Sequence, residues 1–397
     1  MTAGRIAGAV LAALALAPWL SSPRPATAEP YRLRGNVFAG AAEKTPVGLL
    51  TLDAHGRATR WLSAETMLWV GAGDEAEAEA MVIAVHLRDP EGRGEAQVGR
   101  FVVVPGALLP VHLDGVAGRV RGPWRTRLEL FGGVPVAPGG AGRGFDWVAG
   151  ARVARGIGTW GAAGLAYVQR RDRGQLDDHE LGADVGVGIT ADADLNARLA
   201  YDLINPGVSE ARLSGSLRRD AWRFELFASH RSPSRLLPAT SLFSVLGDVA
   251  SRHVGGRVSW RAAPRLDLDA TAAVRVHGVG DIGADLRLRG TLRLDERGRR
   301  AVVGELRRDG GAGEGWTGAR AALRLPWAYG LTLAAEAELA VPDDDRRGTL
   351  WPWGLLAVGW RPAEGWESAV AVELSSSPQY DVRVDGIVRL ARTWEAP

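Results

Sequence analysis

Three short stretches of the 397-residue chain carry side chains whose type and spacing could do chemistry. His230-Arg231-Ser232 sets an imidazole two residues from a hydroxyl. That pair can hydrolyse an ester if a third group, Asn or an acid, orients the ring. The apolar face of Trp222–His230 is Trp222, Phe224, Leu226 and Ala228, which places His230 and Ser232 on the same side. No Asn occurs after Asn205, the next apolar face (Val254, Gly256, Val258, Trp260) holds no acid, and Asp248 is the nearby carboxylate. The pair therefore reads either as a surface hydrolase or as a histidine at a strand end. Gly156-Ile157-Gly158-Thr159-Trp160-Gly161 matches the G-x-G-x-x-G spacing of a dinucleotide-binding loop, which needs a parallel strand before it and a helix after it. Ala162–Arg170 continues as a strand as readily as a helix, and the chain holds 52 glycines, so the match reads as a turn. Asp343-Asp344-Asp345 offers hard oxygen ligands for Ca²⁺, or else stands in water as an acidic loop. The other six histidines show no metal spacing, and no cofactor is indicated.

The elements around these residues follow a simpler rule. In Asp281–Asp295, Ile282, Ala284, Leu286, Leu288, Leu292 and Leu294 alternate with Asp281, Asp285, Arg287, Arg289, Arg293 and Asp295. Successive side chains of a strand point to opposite faces, so the segment has one apolar and one charged face. Glu180–Thr190, Asp194–Leu203, Arg265–Val276 and Leu331–Val341 repeat the pattern. No helical periodicity longer than two turns occurs after residue 30. Glu75–Ala80 (EAEAEA) is helix-permissive but short, and reads as a loop. Tight links such as 262–265, 296–298, 326–329 and 362–365 alternate with looser ones such as 309–315 and 342–349. Trp124, Trp160, Trp222, Trp316, Trp327, Trp360, Trp366 and Trp394 lie at strand ends, where indole rings sit between hydrocarbon and headgroups as a girdle.

Composition narrows the setting. With no Cys the chain has no disulfides and no thiolate metal site. Arg5, the apolar run Ile6–Leu20 and Ala26-Thr27-Ala28 form a cleavable export signal over 1–28. Its loss removes Arg5 and Arg24 and no acid, taking the formal charge from +2 to 0, so the balance gives no nucleic-acid footprint. Lys44 is the only lysine, and no stretch is long and apolar enough for a membrane-spanning helix.

These features, with the final strand Tyr380–Trp394, make residues 29–397 resemble the Gram-negative outer-membrane β-barrel proteins of the porin-like class. The resemblance implies a single transmembrane antiparallel up-and-down β-barrel of about 22 strands, in the range 18–22. It also implies outer-membrane lipid around the barrel and insertion by machinery that reads a terminal aromatic. Here Glu395-Ala396-Pro397 follow Trp394, a departure from that signal. The His230–Ser232 pair is similar to the H-x-S element of outer-membrane phospholipases and lipid A deacylases, but Pro233 stands where those phospholipases approach their Asn.

The charged faces are expected to line the bore: Arg198, Asp202, Arg223, Glu225, Asp267, Asp269, Arg275, Asp285, Arg287, Arg289, Arg293, Glu336, Glu338, Arg383, Asp385 and Arg389. On a lipid face each Arg at mid-bilayer would cost about 2–4 kcal/mol. The expected function is a diffusion channel for small polar solutes, with the apolar loop 232–251 folded inward as a constriction or gate. A closed structural barrel, a lipid hydrolase built on His230 and Ser232, and a soluble exported β-sandwich or adhesin are the alternatives.

Overall fold

The computed structural model describes residues 31–42, 45–73, 76–136, 145–232, 251–277, 281–310, 315–343, 350–377 and 380–396. The expected signal segment 1–28, Asp248, Asp344, Asp345 and all but the two ends of the 232–251 loop lie outside them. Within them the chain forms twenty-two strands. β1 (Tyr31–Ala42), β2 (Thr45–Thr59), β3 (Leu62–Ala72), β4 (Ala76–Arg88) and β5 (Gly94–Val103) come first. β6 (Val111–Arg121), β7 (Thr126–Pro135), β8 (Phe145–Ile157), β9 (Gly161–Asp172), β10 (Gln175–Gly188) and β11 (Ala193–Asp202) follow. Next are β12 (Gly207–Arg219), β13 (Trp222–Arg231), β14 (Ser251–Ala263), β15 (Leu266–His277), β16 (Asp281–Arg293) and β17 (Ala301–Asp309). β18 (Trp316–Pro326), β19 (Leu331–Pro342), β20 (Trp351–Trp360), β21 (Trp366–Ser377) and β22 (Tyr380–Ala396) complete the series.

Each strand pairs antiparallel with the next, and β1 also pairs with β22, Tyr31 opposite Ala396. The sheet is therefore a closed up-and-down barrel without an edge. Closure matters because a hydrocarbon layer offers no partner to an edge N–H or C=O. Both ends of the barrel chain lie at one rim, with the tight links 60–61, 220–221 and 264–265. The opposite rim carries the longer links 136–144, 232–250 and 343–350, but also short ones such as 43–44 and 173–174.

Alternation sorts the side chains. On β16, Ile282 and Leu288 are 69% and 56% exposed on the outer face, while Asp285, Arg287 and Arg293 form ion pairs on the other. Aliphatic side chains so exposed need an apolar surrounding, worth about 1.5–3 kcal/mol for each one fully covered. The buried apolar cluster lies inside the barrel: Phe101, Leu108, Leu113, Phe131, Val148, Ala166, Val168 and Ala200.

The reading of Glu75–Ala80 as a loop is corrected. Ala76–Ala80 belongs to β4, with Glu77 and Glu79 on one face and Ala76, Ala78 and Ala80 on the other, paired through Ala72↔Ala76 and Leu68↔Ala80. Alternating Glu and Ala satisfies a strand as well as a helix, and cross-strand pairing decides between them.

Candidate functional site

The inner wall is a lattice of ion pairs. Arg275 meets Asp285 at 2.5 Å, Arg257 meets Asp269 at 2.6 Å, and Asp267 accepts from Arg293 with Arg261 at 3.6 Å. Arg287 lies 3.5 Å from Glu305, which Arg307 holds at 2.9 Å while also reaching Glu338 at 2.7 Å. Arg320–Glu336, Arg223–Glu225 and Arg383–Asp385 each close to 2.5 Å. Arg389 binds Asn36 at 2.9 Å and Glu367 at 3.4 Å, and Arg198 binds Glu210 at 2.8 Å. Asp202 instead accepts the backbone N–H groups of Ile204 and Asn205, and Arg289 has no ion-pair partner among the described residues. Strand registry puts the sixteen residues expected in the bore on the face opposite the exposed aliphatic side chains of their strands. Their partners Arg257, Glu305, Arg307, Arg320, Glu210 and Glu367 belong to the same face; the period-2 signal that could have found them was present in their strands.

One side of the bore is filled by a segment that composition did not single out, Val104–Pro110. Pro105 and Pro110 have no N–H to give a ladder, so the β5–β6 connection cannot extend the wall. It turns into the lumen, with Pro105, Ala107 and Leu108 buried. Pairing of β4 with β5 stops at Ile83↔Arg100, which leaves the Ala76–Val82 part of β4 without β5. Side chains take over there: Arg100 Nη1 donates to Ala80 O at 3.0 Å, and His112 Nε2 lies 2.8 Å from Met81 O. Asp114 grips Arg100 with both oxygens at 2.7 Å. Such substitution is needed because an unpaired buried carbonyl costs about 1–3 kcal/mol.

The tip rests on a charged seat. Arg152 of β8 meets Asp184 of β10 at 2.8 Å and Glu129 of β7 at 3.8 Å. Gly106, at φ +63°, lies so close that a Cβ there would stand 2.4 Å from Asp184 Oδ1 and 2.5 Å from Arg152 Nε. Leu108 packs onto Gly182 of β10. A space of about 400 Å³, lined by Glu95, Arg119, Arg127, Glu129 and Arg152, lies beside the segment. Farther along, Ser209 donates to Glu180 at 3.0 Å, both side chains buried.

His230 is on the outer face, opposite Ala211 and Arg252, with no acid beside it among the described residues. Gly156–Gly161 is the end of an antiparallel hairpin, β8 turning into β9 through 158–160 with Gly158 at φ +56°; there is no parallel strand and no helix here, so no pyrophosphate cradle forms. Asp343 pairs with Arg308. Seven of the eight strand-end tryptophans, Trp124, Trp160, Trp222, Trp327, Trp360, Trp366 and Trp394, lie at the tight-link rim. There Trp222 stacks on Trp260, centroids 4.9 Å apart, and Trp366 and Trp394 flank Arg392. Trp316 differs: it is at the opposite rim and on the inner face, with the Arg307 guanidinium 5.3 Å from its ring centre. Lipid contact is closed to it because its strand position alternates with the outer-face Thr317 and Ala319. Two broad apolar hollows of about 1210 and 870 Å³ lie on the outer surface, across β7–β14 and β13–β20.

No family model matches the sequence, and neither does any curated protein. Solved structures do match. The P pilus usher (PapC) translocation pore aligns over 92% of this chain and 98% of its own, with a TM-score of 0.54 and 10% identity. The same usher in the Escherichia coli P pilus tip assembly intermediate aligns over 94% of this chain and 62% of its own, at TM-score 0.55 and 11% identity. Pseudomonas aeruginosa OccD3 covers 93% and 91% at TM-score 0.43 and 11% identity. The fold is that of the bacterial outer-membrane barrels. At such identities the usher likeness speaks for the architecture alone, closed and antiparallel, and the function of this barrel has to be argued from its own bore.

Proposed function

We propose that this protein is a passive outer-membrane channel for small polar solutes, narrowed by Val104–Pro110. The observation that carries this reading is the seating of that segment inside the barrel on Arg152 and Asp184, with Leu108 on Gly182. Only part of the wall, β4 to β11, packs the segment, while the inner faces of β12 to β22 carry paired charges. Water and solutes pass where hydrogen-bonding groups line the way, and paired charges of both signs give weak ion selectivity. The expected constriction at 232–251 falls, but for its two end residues, outside the described set; the narrowing argued for the described residues is that of 104–110. The tight-link rim, with its tryptophans and both ends of the barrel chain, faces the periplasm in this reading, and the 104–110 connection enters from the outside. The leader 1–28 is removed on export, and the final strand β22, with Trp394 outward, is what the insertion machinery meets.

Purified protein in planar bilayers tests the proposal. Stable unitary conductance with a cation-to-anion permeability ratio near one is expected. Absence of conductance from protein whose gel mobility is heat-modifiable, the mark of a folded barrel, would leave a closed structural barrel as the function.

A further inference from the structure

Not every tryptophan of the described barrel serves a membrane rim. Trp316, Trp351 and Trp353 all stand on the inner face near the long-link rim, on β18 and β20. The register shows their arrangement. Gly318, Ala340 and Trp351 form one row across β18, β19 and β20, and Arg320, Glu338 and Trp353 form the next. The Trp316 ring folds onto the wall over Gly318, where a Cβ would come within 2.7 Å of it. Ala340, between Gly318 and Trp351, is 8% exposed beneath its large neighbours. Trp353 donates from Nε1 to Glu373 Oε1 at 2.7 Å, which fixes the indole on the wall. Trp351 Nε1 is buried with no acceptor among the described residues, a donor without a partner.

The polar groups around these rings are coupled, not free. Glu338 is held by Arg307 at 2.7 Å, Glu336 by Arg320 at 2.5 Å and Glu373 by Trp353. A wall whose charges cancel pairwise has little pull on a free cation or anion. It still offers N–H donors and carboxylate acceptors side by side. A sugar ring fits this pairing of groups. Its C–H face is apolar and slightly positive, which suits the negative face of an indole. Its hydroxyl rim both donates and accepts, which suits Arg–carboxylate pairs. We infer that the inner-face patch of Trp316, Trp351 and Trp353, edged by Arg307, Glu338 and Glu373, is a binding subsite for neutral saccharides. This deepens the channel reading by naming a solute class, and it rests on that reading for access to the bore.

The test measures binding and conduction separately on the same detergent-purified barrel. Maltotriose and cellotriose are titrated against intrinsic tryptophan fluorescence, and then added to single channels in planar bilayers. Saturable fluorescence change and reversible current interruptions are expected, with dissociation constants of about millimolar order. Trp351→Ala and Trp353→Ala should each weaken binding about tenfold or more, while Trp327→Ala at the opposite rim leaves it unchanged. Trp351→Phe keeps a stacking face and should retain most of the affinity. Heat-modifiable mobility shows that each variant is folded. Conducting channels that bind neither sugar up to about 100 mM, or inner-face variants that bind as wild type does, overturn the saccharide subsite and leave the channel standing. Sugar binding by a barrel that does not conduct overturns the channel reading and keeps the subsite. Binding of free lysine or arginine with no sugar binding would show that the patch reads charge, against the inference.

Discussion

Gly106→Ala is the sharpest probe of the constriction. Ala at φ +63° costs about 1–2 kcal/mol for the left-handed backbone. Its Cβ would also stand 2.4 Å from Asp184 Oδ1 and 2.5 Å from Arg152 Nε, distances that carbon never keeps. Either the segment lifts or the Arg152–Asp184 pair, at 2.8 Å and largely covered, opens. Loss of such a charge-assisted hydrogen bond costs about 1.5–3 kcal/mol. Together the penalty is about 2.5–5 kcal/mol, or two to four orders of magnitude in the docking equilibrium. A segment docked about 99 times in 100, a preference of about 2.7 kcal/mol, would then be lifted from about half to nearly all of the time. Single-channel recording of wild type, Gly106→Ala and a variant with 105–109 replaced by a short turn reads this directly. The shortened variant sets the conductance of the unobstructed bore, and Gly106→Ala should approach it with added current noise. Wild-type conductance in the shortened variant would refute the placement of the segment in the solute path. Increased conductance there but not in Gly106→Ala would refute Gly106 as its anchor.

Other outcomes follow from the two faces of the wall. Leu288→Arg puts a guanidinium into lipid at mid-strand and should cost about 2–4 kcal/mol, seen as a loss of the heat-modifiable folded form, whereas Arg287→Leu on the inner face leaves Glu305 paired with Arg307 and should fold normally. Glu338→Gln removes one negative charge and frees a donor of Arg307, so the reversal potential in a salt gradient should move towards anion preference. At the long-link rim, Arg308 holds the Asp343 carboxyl below its ordinary value. A depressed acid contributes stability that is present above its unfolded pKa and lost as pH falls through the lower folded one. The difference in melting temperature between wild type and Asp343→Asn should thus persist from neutral pH down to about 4 and close below it; a gap that closes near pH 6 would point to another group.

Much of the barrel can be read from period alone. Water inside and lipid outside ask for opposite side chains, and a strand presents them alternately. Asp285, Arg287 and Leu286, Leu288 therefore declare their faces before any coordinate is known. The tight links and the tryptophans near them mark one rim for the same reason. The tertiary structure decided what alternation leaves open. On β20 the inner residues Trp351, Trp353 and Leu355 are as apolar as the outer Leu356 and Val358, so only the pairing of Trp353 with Glu338 assigns its face. Glu77 and Glu79 read as part of a loop in the sequence, and only pairing with β3 makes them strand. Pro105 and Pro110 announce that a ladder ends, but they cannot say where the freed segment goes. That answer depends on Arg152, Asp184 and Gly182, dozens of residues farther along the chain, because a docking seat exists only once separate strands have closed around it.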